Sequence, residues 1–507
     1  MLLFSHRLAL LFDITVLLAL GHAAIPVAVS ADAIAPVYKT GQTACYDSNG
    51  LVTPCAGSGQ DGEHQAGAAF SGVRFKDNGD GTITDNMSGL IWLKDAFCDN
   101  QMRSFSQAIT FAAGLSNGQC ALGDNSKAGD WRLPNILELL SLVDYGNIDP
   151  ALPSGHPFNN VQLDPVSPFY WSNTTHNDRV EADSPRQAFT LNMRTGDFYY
   201  HLKDGAYYTL AVKKNSGNGT LPIAETGQTT CYDPSGKTSD TVACAGSGQD
   251  GEFRAGKSMP KSRFTDNGDG TVTDQLTKLV WVKDANCWNN KFYWSKAPSK
   301  AAETAHGNCG LTDGSKPGDW RVPNIRELLS LMHFENTSPA LPTDHPFINV
   351  VQLPVHSYYW TSTNYTDVNF GYTKGNLVLD VRKGYEYNRI KSDSWYLWLV
   401  RNAEQTLESG AAIFDPVTYA INIPVVDTGT SGSYSVTLQL ELPAFQVVLT
   451  AAALTSVRVA HPASVNLDTG ALHIPVLMIG NESYHANLQR TSDLSEFRFS
   501  VVDYIKN

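Results

Sequence analysis

The chain of 507 residues has no cysteine before Cys45, and residues 403–507 hold neither cysteine nor tryptophan. It has no C-x2-C pair, no H-E-x-x-H, no nucleophile motif and no low-complexity tract. Without C-x2-C pairs the cysteines do not read as a structural zinc site, and without the catalytic motifs the sequence gives no ground for chemistry. An N-terminal region lacking cysteine has nothing to carry a lipid. After the first 31 residues no apolar run is long enough to cross a bilayer, which takes about 20 residues. Positive charge is also scarce: 37 Lys and Arg face 50 Asp and Glu, a net charge of −13. That is the reverse of a nucleic-acid footprint. At 42% hydrophobic and 17% charged residues, the composition is that of folded domains rather than a disordered chain.

The first 31 residues stand apart. His6 and Arg7 precede the apolar run "LALLFDITVLLAL" (8–20), interrupted by Asp13, and small residues follow in "AIPVAVSADA" (24–33). This is the order of a secretory signal peptide. The mature chain is expected to begin near Asp32, in the periplasm or outside the cell.

What the chain does have is a second copy of itself. Shifted by 189 places, Cys55 falls on Cys244, Trp92 on Trp281, Cys98 on Cys287, Cys120 on Cys309, Trp131 on Trp320, His156 on His345 and Trp171 on Trp360. So long a period describes two tandem domains, residues 32–220 and 221–402, each expected to own a core, rather than a solenoid of units of about 20–50 residues. The eight cysteines divide four and four, which at matched spacings reads as a disulfide framework made in an oxidising compartment. Three connectivities are open in each copy. Local pairing is preferred, Cys45 with Cys55 and Cys98 with Cys120, then Cys231 with Cys244 and Cys287 with Cys309. The first pair of each copy brackets a short loop, and the second brackets one predicted helix.

Along the first copy, a Gly-rich polar opening ("TGQTACYDSNG", "CAGSGQDGE") precedes "VRFKDNGDGTITDNMSGLIWLKD" (73–95), a predicted β-hairpin turning at "DNGDG". A helix is predicted in 104–118 from the spacing of Phe105, Ala108, Ile109, Ala112 and Leu115. In "GDWRLPNILELLSLVDY", Pro134 holds Leu133 extended, Asn135 is a good N-cap, and Ile136, Leu139, Leu140 and Val143 recur at helical spacing. Glu138 and Glu327 then sit where a side chain reaches back to the cap. A long loop and three strand-like runs complete an α+β order, two helices on an antiparallel sheet.

"DNGDGTITDNMSGLIW", "GDWRLPNILELLSL" and "YWSN", with their partners "DNGDGTVTDQLTKLVW", "GDWRVPNIRELLSL" and "YYWTST", resemble the C-terminal domain of bacterial collagen-like adhesins, the Lcl C-terminal domain, over residues 38–215 and 224–402. The resemblance implies an exported, non-catalytic module; in those adhesins the domain binds sulfated glycosaminoglycans and host surfaces. The element order and the W-R-x-P-x-x-x-E-L segment are similar to the C-type lectin-like fold, so two tandem C-type-lectin-like domains are expected. The sugar-binding members of that fold carry E-P-N or Q-P-D and W-N-D. This chain has "LPSGHPF" and "YWSN" instead, so the calcium-sugar site is not carried over.

Residues 403–507 repeat internally, "VTYAINIPVV…YSVTLQ" (417–439) returning as "DTGALHIPVL…YHANLQ" (468–489). A small β-sandwich of two β-repeats is expected there, structural or adhesive in role.

Three groups of residues invite a functional reading. Asp77, Asp80 and Asp85, matched by Asp266, Asp269 and Asp274, offer oxygen ligands for a calcium ion, although the spacing is not that of an EF-hand and the same residues build hairpin turns. His156 and His345 lie in "HPF" loops with no catalytic partner motif. Lys374, Arg382, Lys383, Arg389, Lys391 and Arg401, with Tyr385 and Tyr387, crowd the last strands of the second copy. Guanidinium forks there would meet sulfate or carboxylate, and tyrosines would stack on sugar. Charge is unequal between the copies, −7 over 32–220 and 0 over 221–402. The expected function is an exported binding or adhesion module that recognises polysaccharide, including anionic polysaccharide, or a surface partner without catalysis, with no cofactor beyond calcium. The alternatives are an enzyme accessory or hydrolytic protein that presents substrate, and an oligomeric component of an extracellular assembly.

Overall fold

A computed structural model describes residues 33–70, 72–177, 186–214, 219–353, 357–365, 375–402, 406–407, 412–415, 419–427, 433–441, 446–454, 458–459, 463–466, 469–479, 482–491 and 498–506. The expected signal peptide lies outside them. The described residues fall into two compact units, 33–401 and the residues from 402 onward.

In the first unit, copy one runs β1 (Cys45–Tyr46), β2 (Val52–Thr53), α1 (Asp61–His64), β3 (Phe75–Asp77), β4 (Thr82–Asp85), β5 (Leu90–Leu93), α2 (Phe105–Gly114), α3 (Ile136–Leu142), β6 (Phe169–His176), β7 (Gln187–Asn192), β8 (Phe198–Leu202) and β9 (Val212–Lys214). Copy two repeats the order: β10 (Cys231–Tyr232), β11 (Thr241–Val242), α4 (Asp250–Phe253), β12 (Phe264–Asp266), β13 (Thr271–Asp274), β14 (Leu279–Val282), β15 (Phe292–Tyr293), α5 (Ala297–Glu303), α6 (Ile325–Ser330), β16 (Tyr358–Tyr365), β17 (Gly375–Asp380), β18 (Tyr385–Ile390), β19 (Ser394–Trp395) and β20 (Val400–Asn402). Each copy carries a four-stranded sheet, β3-β4-β5-β9 or β12-β13-β14-β20, and a three-stranded sheet, β6-β7-β8 or β16-β17-β18. Among the described residues strand outweighs helix. All four local disulfides form, Cys45–Cys55, Cys98–Cys120, Cys231–Cys244 and Cys287–Cys309.

The repeated Asn caps behave as the sequence implies. Asn135 Oδ1 accepts from Glu138 N at 2.9 Å, and Glu138 Oε2 accepts from Asn135 N at 2.8 Å. Glu138 also receives both guanidinium ends of Arg132 at 2.7 Å, so one carboxylate closes the cap and neutralises a buried arginine. Arg321, Asn324 and Glu327 repeat this arrangement. The tryptophans of the repeated motifs, Trp92, Trp131, Trp171, Trp281, Trp320 and Trp360, are all buried.

One core, rather than one for each copy, runs through the first unit. It joins Trp92, Leu139 and Phe189 to Trp281, Leu328, Phe334 and Leu379, and Phe189 meets Phe334 edge-on at 5.3 Å. The physical reason is an exchange. The disulfide hairpin of copy one (residues 42–67) packs on β16 and the cap of α6 in copy two, where Thr363 donates to Asp61 and Asn324 to Ala66 O. The hairpin of copy two (residues 228–256) packs in the same way on copy one, where Thr174 donates to Asp250 and Asn135 to Ala255 O.

The second unit holds β21 (Thr406–Leu407), β22 (Ala412–Asp415), β23 (Ala420–Asp427), β24 (Ser433–Glu441), β25 (Gln446–Leu454), β26 (Arg458–Val459), β27 (Ala463–Asn466), β28 (Ala471–Ile479), β29 (Glu482–Arg490) and β30 (Arg498–Lys506). Eight strands, ordered β22-β23-β24-β25-β30-β29-β28-β27, close on themselves because β22 pairs with β28 and β23 with β27. The result is barrel-like rather than the expected sandwich, since those two parallel pairings seal what would be open edges. The internal repeat keeps its register. The pairing is broken by a bulge between Ile423 and Val426 and again between Ile474 and Leu477, around Pro424 and Pro475, which have no N–H to give the ladder.

Candidate functional site

The strongest candidate is built on the outer end of the sheet β16-β17-β18. Alternation along β18 puts Tyr385, Tyr387 and Arg389 on one face. Arg389 lies 4.2 Å from the ring of Tyr387, 4.7 Å from Tyr358 and 5.6 Å from Trp395. Those rings support one another: Tyr358 stacks on Tyr387 at 6.1 Å and meets Trp395 edge-on at 5.0 Å. Lys291 extends the cationic edge, 5.0 Å from Trp395 and 5.2 Å from Tyr396. The Nε of Arg389 is buried and has no hydrogen-bond partner among the described residues. Beside it opens a pocket of about 240 Å³ lined by Gly375, Tyr387, Asn388, Arg389, Ile390 and Asp393. The Tyr387 ring, a half-desolvated guanidinium and the Asp393 carboxylate give the pocket both apolar and charged surface.

The same position in copy one has different chemistry. His201 pairs with Ala188 on the ladder where Arg389 pairs with Asn376, and it lies 4.5 Å from both Phe169 and Tyr207. Burial pulls its pKa down to about 4, so it is neutral at physiological pH. One copy presents a cation among rings, and the other presents a neutral imidazole.

The structure divides the eight residues picked out by the sequence rather than arraying them on one face. Lys374 lies outside the described residues. Arg382 is 5% exposed in the turn after β17, and Tyr385 is also buried, between the copies. Lys383 reaches Tyr200 of copy one, its Nζ 3.4 Å from the hydroxyl. Lys391 gives its Nζ to Tyr46 O at 2.6 Å in the docked hairpin, and burial lowers its pKa to about 8. Arg401 lies on the Trp320 ring and donates to Asp313. Tyr387 and Arg389 remain together at the pocket. Lys383, Tyr385 and Lys391 therefore join the copies instead of forming part of an open patch, because long cationic side chains bury their stems and still reach carbonyls and rings. Lys291, Tyr358, Trp395 and Tyr396 escaped the sequence reading, since they come from three separate elements. The aromatic run "SWYLW" (394–398) was the available signal.

The aspartate turns are committed to the hairpins that hold them. Asp77 accepts from Gly79 N and Lys94, and Asp80 from the Thr82 N–H and hydroxyl. Asp85 is fully buried on Arg74, Met87 N and Ser88. Asp266, Asp269 and Asp274 repeat the pattern, with Lys283, Thr271 and Arg263 as partners. Among the described residues no three His, Cys, Asp or Glu side chains converge as metal ligands. His156 and His345 pack near Phe158 and Phe347, and burial lowers both pKa values.

Fold and site together define a tandem, disulfide-pinned, β-rich module whose two copies interlock and whose second copy carries a pocket beside a cation held among aromatic rings. Residues 81–213 and 270–401 each match the Lcl C-terminal domain, and together they make up more than half of the chain. The protein belongs to that family. No curated protein and no solved structure matches it. The exchanged hairpins lie outside both matched segments.

Proposed function

We propose that the protein is an exported, non-catalytic adhesin-like module that holds acidic polysaccharide at the Arg389 pocket of its second copy. The family and the four disulfides support an external binding role. The observation that carries the ligand class is Arg389, held among Tyr358, Tyr387 and Trp395 with an unpartnered Nε beside the pocket, where copy one offers neutral His201. We read the helix, helix, long loop, strand order as C-type-lectin-like, with a binding surface unlike that fold's calcium site. Calcium takes no part in this reading, because the aspartates that could bind it already hold their turns.

Retention of the full chain on heparin across a salt gradient tests the proposal. The wild type is expected to elute later than Arg389→Ser, with retention weakening as salt screens the contact over about 8 Å at physiological strength. EDTA is expected to change nothing. Equal retention by a folded Arg389→Ser variant would discard the site.

A further inference from the structure

The exchanged hairpins carry an inference about partners, independent of the glycan reading. Each hairpin is held in a socket of the other copy by the same five contacts. The amide of Gln42 brackets residue 364, accepting from Asn364 N at 2.8 Å and donating to Asn364 O at 3.0 Å. Gln228 brackets Thr175 in the same way, at 2.8 Å in both directions. In both cases a side-chain amide stands in for a neighbouring strand at the irregularity where the ladder of β6 or β16 breaks its register. Asp61 accepts from Thr363 at 2.7 Å, and Asp250 from Thr174 at 2.6 Å. Those threonines receive in turn the first helical N–H groups, Ile325 N and Ile136 N, at 3.0 Å. Asn324 donates to Ala66 O and Asn135 to Ala255 O. Lys391 donates to Tyr46 O and Lys203 to Asp233 O. Gly59 fits against Pro298 and Gly248 against Ile109 so closely that a Cβ at either would come within 2.3 Å.

The hairpins share "TGQT", "CYD" and "CAGSGQDGE", the stretches that make these contacts. Nothing in the five contacts tells a socket which copy, or which molecule, supplied its hairpin. We propose that each socket is a receptor for this hairpin from any source, and that the partner it fits is a second copy of this chain. Unit 33–401 is the closed form, with both exchanges made within one molecule. When a hairpin leaves its socket, the socket takes the hairpin of another chain through the same bonds, giving dimers and longer assemblies. The cost of opening is shared across contacts that closing restores in full, which is the economy of domain swapping.

Complementation between two full-length variants tests this. Thr174→Arg fills socket one and expels its hairpin while leaving that hairpin intact. Gln228→Glu with Asp250→Arg spoils the hairpin and leaves socket one open. Each variant alone is expected to run as a monomer by light scattering, and the equimolar mixture as a species of twice the mass. A mixture that stays monomeric, with both partners folded by circular dichroism, overturns the proposal. Should either variant fail to fold, the wild-type chain is held below its melting temperature with a labelled, oxidised peptide of residues 226–256 and then chromatographed. One or two bound peptides per chain, lost when the peptide carries Asp250→Arg, support the receptor. No bound label overturns it.

Discussion

The carboxylate of Asp61 accepts the hydroxyl of Thr363 at 2.7 Å across 302 residues of chain. Both side chains are fully buried, and Asp250 with Thr174 repeats the bond in the other direction. A carboxylate so placed has lost its water and gained a hydroxyl donor in its place. Desolvation dominates, and both aspartates have their pKa raised from 3.8 to about 6.

Stability should therefore depend on pH through these two residues. A folded-state pKa above the unfolded one means that the native state binds more protons, so the contribution is complete below about pH 3.8 and is lost as pH rises through 6. Lys203 is shifted in the opposite sense, from 10.5 down to about 7, chiefly by burial. Its contribution is present above about 10.5 and lost as pH falls through 7. The hairpins should be held least firmly between about pH 6 and 7. Melting temperatures from pH 4 to 9 check this, and Asp61→Asn with Asp250→Asn should flatten the acid limb. A profile that the double substitution leaves unchanged would place the titrating groups elsewhere.

Cutting the chain between the copies should not separate them. With a protease site introduced at residues 215–218 and cleaved, the two halves are expected to co-elute and to melt in one transition, because each holds the other's hairpin. Residues 33–220 and 221–402 expressed apart should melt well below the joined pair. Halves that part at once on a sizing column would contradict the shared core.

Glu138 should tolerate replacement poorly. It closes the cap of α3 and receives Arg132 through both nitrogens, so Glu138→Ala leaves a buried guanidinium without its counter-charge. Losing one partner of such a pair costs roughly 3–5 kcal/mol, and Glu327→Ala should cost the same through Arg321. Urea unfolding of each variant measures it. A loss under about 1 kcal/mol would mean the pair is solvated.

His201→Arg asks whether the difference between the copies lies in one residue. It places a guanidinium among Phe169 and Tyr207 where copy two has Arg389 among Tyr358 and Trp395. The heparin-fragment stoichiometry from calorimetry should rise from one to two per chain, with salt dependence at the new site. A folded variant that still binds one would assign the selectivity to Lys291 or Asp393.

The repeat, the caps and the disulfides were legible because each is local: a Pro, an Asn and a Glu within five residues settle a helix start, and cysteines 10 or 22 residues apart can close only short loops. The exchange was not legible. Both hairpins carry Gln, Asp and Gly at equivalent places and both sheets carry the receiving threonine, so the sequence is the same whether a hairpin docks at home or across. The cationic strand misled for a related reason. Lys383 and Lys391 look open to an anion in the sequence, and only the arrival of the other copy occupies them. The closure of the C-terminal sheet depends on parallel pairings between strands far apart in sequence, which no periodicity records.

Because each copy's hairpin is completed by the other, neither repeat closes by itself within one molecule. Deleting either would leave the survivor able to fill its groove, and to dock its disulfide loop, only by borrowing from a second molecule. A harmful change in one hairpin is felt in the opposite repeat, and its remedy can arise there. Two segments that read as independent words are, in the folded molecule, one word spelled across both.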